Sequence, residues 1–236
     1  MNVFALLTGR GNNALNNKNI LPVLGLPLLS YPAMAAAKVI AHENLYASSD
    51  DIKILEAAAV YGFQEILRPE ELSAPDSQHI DAILHALDFL EKTKNKKPDI
   101  LVVLLANSGT IKHEWILEGI QQIQNDPRIT AVVPVYQEQD HHPYRAKKLN
   151  KDGFLETYFD FSHESISTNR QDLRPNYFIS HNFWVLNVKR SILSNKGQQP
   201  WNFMGNNVKP IIVEGCFDVH TIADLERTET WIKKNL

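Results

Sequence analysis

Val3-Phe4-Ala5-Leu6-Leu7 runs directly into Thr8-Gly9-Arg10-Gly11-Asn12-Asn13-Ala14-Leu15-Asn16-Asn17-Lys18-Asn19. The first five residues are apolar without alternation, the pattern of a strand buried on both faces of a parallel sheet. The loop that follows holds two glycines, which let the backbone turn tightly and bring its N–H groups close to a ligand. Arg10 and Lys18 add two cations, and the asparagines add amide donors. In open α/β sheets ligands gather at the carboxyl ends of the strands. This loop is therefore the first candidate for holding a phosphate chain.

Outward from it, short apolar runs recur at Leu45 to Ser48, Ile66-Leu67, Ile100 to Leu105 and Ala131 to Val135. Helical spacing separates them, most clearly Ile80, Ile83, Leu84, Leu87 and Leu90 after an N-cap-like Pro75-Asp76-Ser77. Such alternation predicts an α/β domain with a mostly parallel sheet flanked by helices. From about Glu138 to His181 the chain turns polar and aromatic with no helical period, as expected of an inserted lobe. The sheet is expected to resume at Phe183 to Leu186 and Pro210 to Val213, and Thr221 to Leu236 to close as a helix. The whole reads as one domain, with a core of residues 1–137 and 182–236 and a lobe of about 138–181.

The 236 residues suffice for one such domain. Hydrophobic residues make up 44% and charged residues 22%, ordinary globular usage. A net charge of −3 gives no general field for nucleic acid or anionic membrane, so an anion site must be a local cluster. No apolar run reaches bilayer length, and the opening residues lack the basic start of a signal peptide. The single cysteine, Cys216, cannot form an intramolecular disulfide and suits a reducing, cytoplasmic setting; it reads as core filler.

Several motifs then resemble one family, the cytidylyltransferases that make CMP-activated acidic sugars of the sialic, pseudaminic, legionaminic and Kdo type. That family opens with a strand, Arg-Gly-Gly-Ser-Lys, a spacer, Lys-Asn, and Ile-x-x-x-x-Gly-x-Pro-Leu. This chain has Arg10-Gly11, Lys18-Asn19-Ile20 and Gly25-Leu26-Pro27-Leu28. Ser48-Ser49-Asp50-Asp51, Arg68-Pro69-Glu70-Glu71-Leu72 and His142-Pro143-Tyr144 match further segments. Arg170-Gln171-Asp172-Leu173-Arg174-Pro175-Asn176-Tyr177 and Phe217-Asp218-Val219-His220-Thr221-Ile222-Ala223-Asp224-Leu225 follow the two late motifs. The chain departs from the pattern at Asn12-Asn13-Ala14 for Gly-Ser-Lys, at Ala106 for Gln, and at His220 for the second metal-binding Asp.

The resemblance implies a Rossmann-like, GT-A-like nucleotidyltransferase that moves CMP from CTP onto the anomeric hydroxyl of an acidic nonulosonic or ulosonic sugar, releasing pyrophosphate. Arg10 and Lys18 would take the catalytic, triphosphate-gripping roles. Gly11, Asn12, Asn13, Asn19, Arg68, Asn107 and Ser108 would bind the nucleotide. An Arg fork is the best partner for the sugar's carboxylate, which nominates Arg145, Arg170 and Arg174, while Gln171, His181 and Asn182 would meet sugar hydroxyls. Asp218 and His220 alternate on an expected extended segment and so share a side. They would hold Mg²⁺, or Mn²⁺ given the softer imidazole. A homodimer through the lobe is implied as well. The rival expectations are a different nucleotide or acceptor, such as a polyol phosphate, and a homologue that binds nucleotide without turnover.

Overall fold

A computed structural model describes residues 1–74, 76–162 and 165–236. In chain order the elements are β1 (Val3–Thr8), β2 (Pro22–Val23), β3 (Leu26–Pro27), α1 (Ser30–Ala37), β4 (Leu45–Ser49), α2 (Ile52–Ala59) and β5 (Gln64–Leu67). Next come α3 (His79–Lys94), β6 (Ile100–Leu105), α4 (His113–Asn125), β7 (Ala131–Gln137), β8 (Lys147–Leu149) and β9 (Leu155–Thr157). The chain ends with β10 (Tyr177–Ile179), β11 (Phe183–Asn187), β12 (Val208–Ile212) and α5 (Ile222–Asn235). β4, β1 and β6 run parallel at the centre of the main sheet, with β5 parallel at one edge. β11 enters antiparallel between β6 and β7, and β12 lies parallel on the far side of β7.

β1 shows why its sequence is uniformly apolar. Ala5 and Leu7 pack into one buried cluster with Ile54, Leu55 and Ile116 from α2 and α4. Phe4 and Leu6 pack into the other with Ile83 and Leu90 from α3. Helices therefore cover both faces, and neither face has room for a polar residue. The shape matches the expected α/β class.

Local chemistry fixes the connections. Leu24 and Gly25 both have positive φ between β2 and β3, the requirement of a tight type I′ hairpin. Asp51 caps α2 by accepting from the Lys53 amide at 2.9 Å. Thr221 and Asp224 form a reciprocal capping box at the start of α5, as the first-turn position of Asp224 suggested. α3 begins at His79 with Gln78 as its cap residue; Pro75 of the expected start lies outside the described residues.

Two expectations are corrected. Residues 217–220 are irregular chain rather than strand. β10, inside the expected lobe, joins the main sheet antiparallel to β7 and continues the line of β11. Among the described residues the β8–β9 hairpin of that stretch forms a separate two-stranded sheet. No helix among the described residues is long and apolar enough to cross a membrane.

Candidate active site

The loop after β1 folds back over the carboxyl end of the sheet and closes on itself. Asn19 is buried and donates through Nδ2 to the Arg10 carbonyl at 3.0 Å, and Asn13 donates to the same oxygen. A side-chain carbon on Gly9 would meet Ala106 Cβ at 3.0 Å and Asn19 Nδ2 at 3.1 Å, so the loop approaches the turn after β6 as only glycine allows. These contacts leave a cleft of about 240 Å³ lined by Arg10, Asn13, Lys18, Asn19, Arg68 and Asn107, among others.

Three cations thus face one small volume. Burial pushes the Lys18 ammonium below the usual lysine range; Asp218 pulls it back up and Arg10 lowers it further. The influence of both neighbours puts Arg10, Lys18 and Asp218 in one electrostatic group. Arg68 is buried, and its guanidinium donates to Ser48 Oγ at 3.2 Å and to the Ser48 carbonyl at 2.8 Å. Burial lowers its pKa, Asp50 counteracts that, and Arg10 adds to it. Like charges gathered and partly desolvated like this favour a polyanion, which relieves their repulsion.

Asp218 owes its place to the turn after β6. Thr110 Oγ1 bonds both backbone groups of Phe217, at 3.2 and 3.1 Å, and the Val219 amide donates to the Asn107 carbonyl at 2.9 Å. His220 then lies against Asp218, with Nε2 3.3 Å from Oδ2, although the segment is not a strand. Among the described residues no group of three or more acidic, His or Cys side chains can hold a metal ion. Such a pair fits Mg²⁺ only in the manner of nucleotide enzymes, where one or two carboxylates share the ion with substrate phosphates and water.

Beside the cleft lies a cavity of about 410 Å³ whose lining includes His79, His181, Trp184, Trp201, Phe203 and Asp218. His181 packs between Trp184 and Trp201, at ring centroid distances of 5.7 and 5.1 Å. Burial lowers the His181 pKa, and Asp218 opposes the shift. His79 lines both spaces. Neither His79 nor the tryptophans was singled out from sequence, because isolated aromatic residues far apart in the chain have no spacing to reveal them.

Other nominated residues lie elsewhere. The Gly11 amide is taken by Asp50 Oδ1 at 3.0 Å, and Asn12 is exposed outside the cleft. Ser108 is fully buried and donates to the Phe217 carbonyl, so it positions the Asp218 segment rather than facing the cleft. Asn182 is likewise buried; its amide donates to Thr110 and its oxygen accepts from Ser180. It lines neither the cleft nor the cavity. Arg145, Arg170 and Gln171 lie away from both spaces, on the segments that follow β7 and precede β10. Arg170 is held by Asp140 and Arg145 reaches the Asp140 carbonyl, while Arg174 is exposed. Burial raises the Cys216 thiol to about 12, which keeps it inert at neutral pH.

The sequence is 24% identical over 227 residues to the pseudaminic acid cytidylyltransferase of Campylobacter jejuni, covering 95% of this chain and 93% of that protein. It is 25% identical over 191 residues to the N-acylneuraminate cytidylyltransferase of Escherichia coli, covering 79% of this chain but only 44% of that longer protein. In three dimensions it overlays the whole of a CMP:2-keto-3-deoxy-manno-octonic acid synthetase complexed with CTP, with a TM-score of 0.70 at 16% identity. A 4-diphosphocytidyl-2C-methyl-D-erythritol synthase from Anaerococcus prevotii overlays with a TM-score of 0.62 at 13% identity, so this chain shares the fold of both. Residues 11–184, most of the chain, match the cytidylyltransferase family model, and the chain belongs to that family of enzymes.

Proposed function

We propose that this enzyme transfers CMP from CTP to the anomeric hydroxyl of an acidic nonulosonic or ulosonic sugar. The observation that carries the reading is the grouping of Arg10, Lys18 and Arg68 around a cleft that adjoins an aromatic cavity, with Asp218 between the two. The cleft suits the nucleotide and the cavity suits the sugar. The hydroxyl attacks the α-phosphorus in line, the new P–O bond forms as the hydroxyl gives up its proton to solvent, and the bond to pyrophosphate breaks. The chain's contribution is positioning and charge neutralisation. Arg10 and Lys18 neutralise the departing pyrophosphate. Mg²⁺ held by Asp218, with His220 beside it, would supply further neutralisation of phosphate charge.

Pyrophosphate release from CTP with a panel of acidic sugars tests this. Turnover with at least one such sugar is expected. Release only with another nucleotide or a neutral acceptor would reject it, as would CTP binding without turnover of any sugar.

The reading includes a homodimer formed through the β8–β9 hairpin. Leu149, Phe154 and Leu155 on that hairpin are 68%, 70% and 71% exposed, and Tyr158 and Phe159 extend the patch. A two-stranded hairpin has no core of its own, and a large apolar surface marks an interface. Light scattering should give twice the 26.8 kDa chain mass. Replacing Phe154 and Leu155 together with Asp should halve it; a monomeric wild type would dismiss the dimer.

A further inference from the structure

We propose that His79 is a fixed, neutral hydrogen-bond acceptor that takes a hydroxyl of the bound substrates at the seam between the nucleotide cleft and the aromatic cavity. The inference rests on the cytidylyl-transfer reading of those two spaces and adds to it a residue outside every motif quoted above.

The hydrogen bonds favour one tautomer. His79 Nε2 lies 2.9 Å from Thr8 Oγ1, and the same hydroxyl lies 3.2 Å from the Leu104 carbonyl. A carbonyl only accepts, and a neutral imidazole and a hydroxyl each have one proton to give. With the ring proton on Nε2, both protons are used: Nε2–H donates to Oγ1, and Oγ1–H donates to the Leu104 oxygen. With the ring proton on Nδ1, the single Thr8 hydroxyl proton would have to serve both Nε2 and the Leu104 oxygen, and one of the two bonds would be lost. Nδ1 therefore keeps its lone pair.

The ring cannot swing away, because it packs on Trp184 with centroids 4.9 Å apart. Nor does it charge near neutral pH. Burial lowers its pKa to about 4, and Arg68 and His181 push the same way. An acceptor selects a donor. Phosphate and carboxylate oxygens are themselves acceptors, so at a seam shared by CTP and an acidic sugar the matching groups are the ribose and sugar hydroxyls.

Two variants separate this role from a structural one. In His79→Gln the amide nitrogen reaches the Nε2 position and keeps the Thr8 bond, but nothing remains at Nδ1. In His79→Asn the carbonyl oxygen falls near Nδ1 while the Thr8 bond is lost. kcat and KM are measured for both substrates, alongside Tm. His79→Gln should lose about tenfold in kcat/KM, the worth of one hydrogen bond, and His79→Asn should keep more activity than His79→Gln despite the lower Tm. Repeating the series with 2′-deoxy- and 3′-deoxy-CTP identifies the donor. If the His79→Gln deficit vanishes with one of them, the ribose is the source; if it persists with both, the sugar is.

His79→Gln matching wild type with both substrates would overturn the proposal, as would activities that merely follow Tm. The ring ¹⁵N shifts of wild-type His79 at pH 7 give a readout that needs neither turnover nor a folded variant. A proton on Nε2 and a bare Nδ1 are expected, and a proton on Nδ1 overturns the inference. A wild type that turns over no acidic sugar defeats the functional reading instead, and the NMR result then decides the tautomer alone.

Discussion

Lys18→Ala is expected to lower kcat/KM for CTP by about 10²–10³-fold, the usual cost of removing one preorganised group from a charge-developing transition state. Lys18 is half-buried beside Arg10 and Asp218, so its ammonium is desolvated and acts at short range. Fold stability should change little, because the side chain donates to no protein acceptor among the described residues. The pH dependence gives a second handle. Since burial lowers the Lys18 pKa, its charge is lost at a lower pH than for an exposed lysine, and kcat/KM should decline on the alkaline side accordingly. Lys18→Arg keeps its charge well past that range, so its alkaline limb should move to higher pH even if its maximum rate is reduced. Steady-state kinetics from pH 7 to 10.5 would check both. A Lys18→Ala enzyme within threefold of wild type would remove Lys18 from the site.

The central strands were legible because burial on both faces leaves one sequence pattern. Phe4 and Leu6 serve one cluster while Ala5 and Leu7 serve the other. The grouping of Arg10 with Lys18 was legible for a related reason: one short loop pinned at Asn19 cannot carry its cations far apart. What stayed hidden was how polar groups are used. Ser108 and Asn182 read as ligand contacts, yet both are fully buried, Ser108 bonded to the Phe217 carbonyl and Asn182 to Thr110. Arg170 read as a carboxylate fork, and it does bind a carboxylate, but that of Asp140. Sequence displays donors and acceptors without showing which are already paired. β10 was assigned to the lobe because the stretch from about Glu138 to His181 is polar and aromatic with no helical period; its membership of the sheet depends on backbone pairing with β7, to which composition is blind.

Wild-type protein should lose more stability on acidification than His79→Asn, by about 2 kcal/mol between pH 7.5 and pH 5. The sign follows from the direction of the shift. The folded pKa is about 4 and the ordinary value 6.5, so between those values the unfolded chain binds a proton that the folded protein refuses. Stability is full above about pH 6.5, falls as pH drops toward 4, and levels off below it. Burial is the main cause, with Arg68 after β5 and His181 before β11 as the charges facing the ring. Urea unfolding of both proteins across this range isolates the effect. The comparison is of slopes against pH, so any constant loss from the missing Thr8 bond in the variant cancels, and so do the titrations of carboxylates and other histidines that the two proteins share. His79→Gln should show the same shallow slope as His79→Asn, since neither side chain titrates. Parallel curves for all three proteins would mean that the imidazole accepts a proton in the fold as readily as in water. A ring charged near pH 6 has donors on both nitrogens, and the lone pair at the seam would be gone.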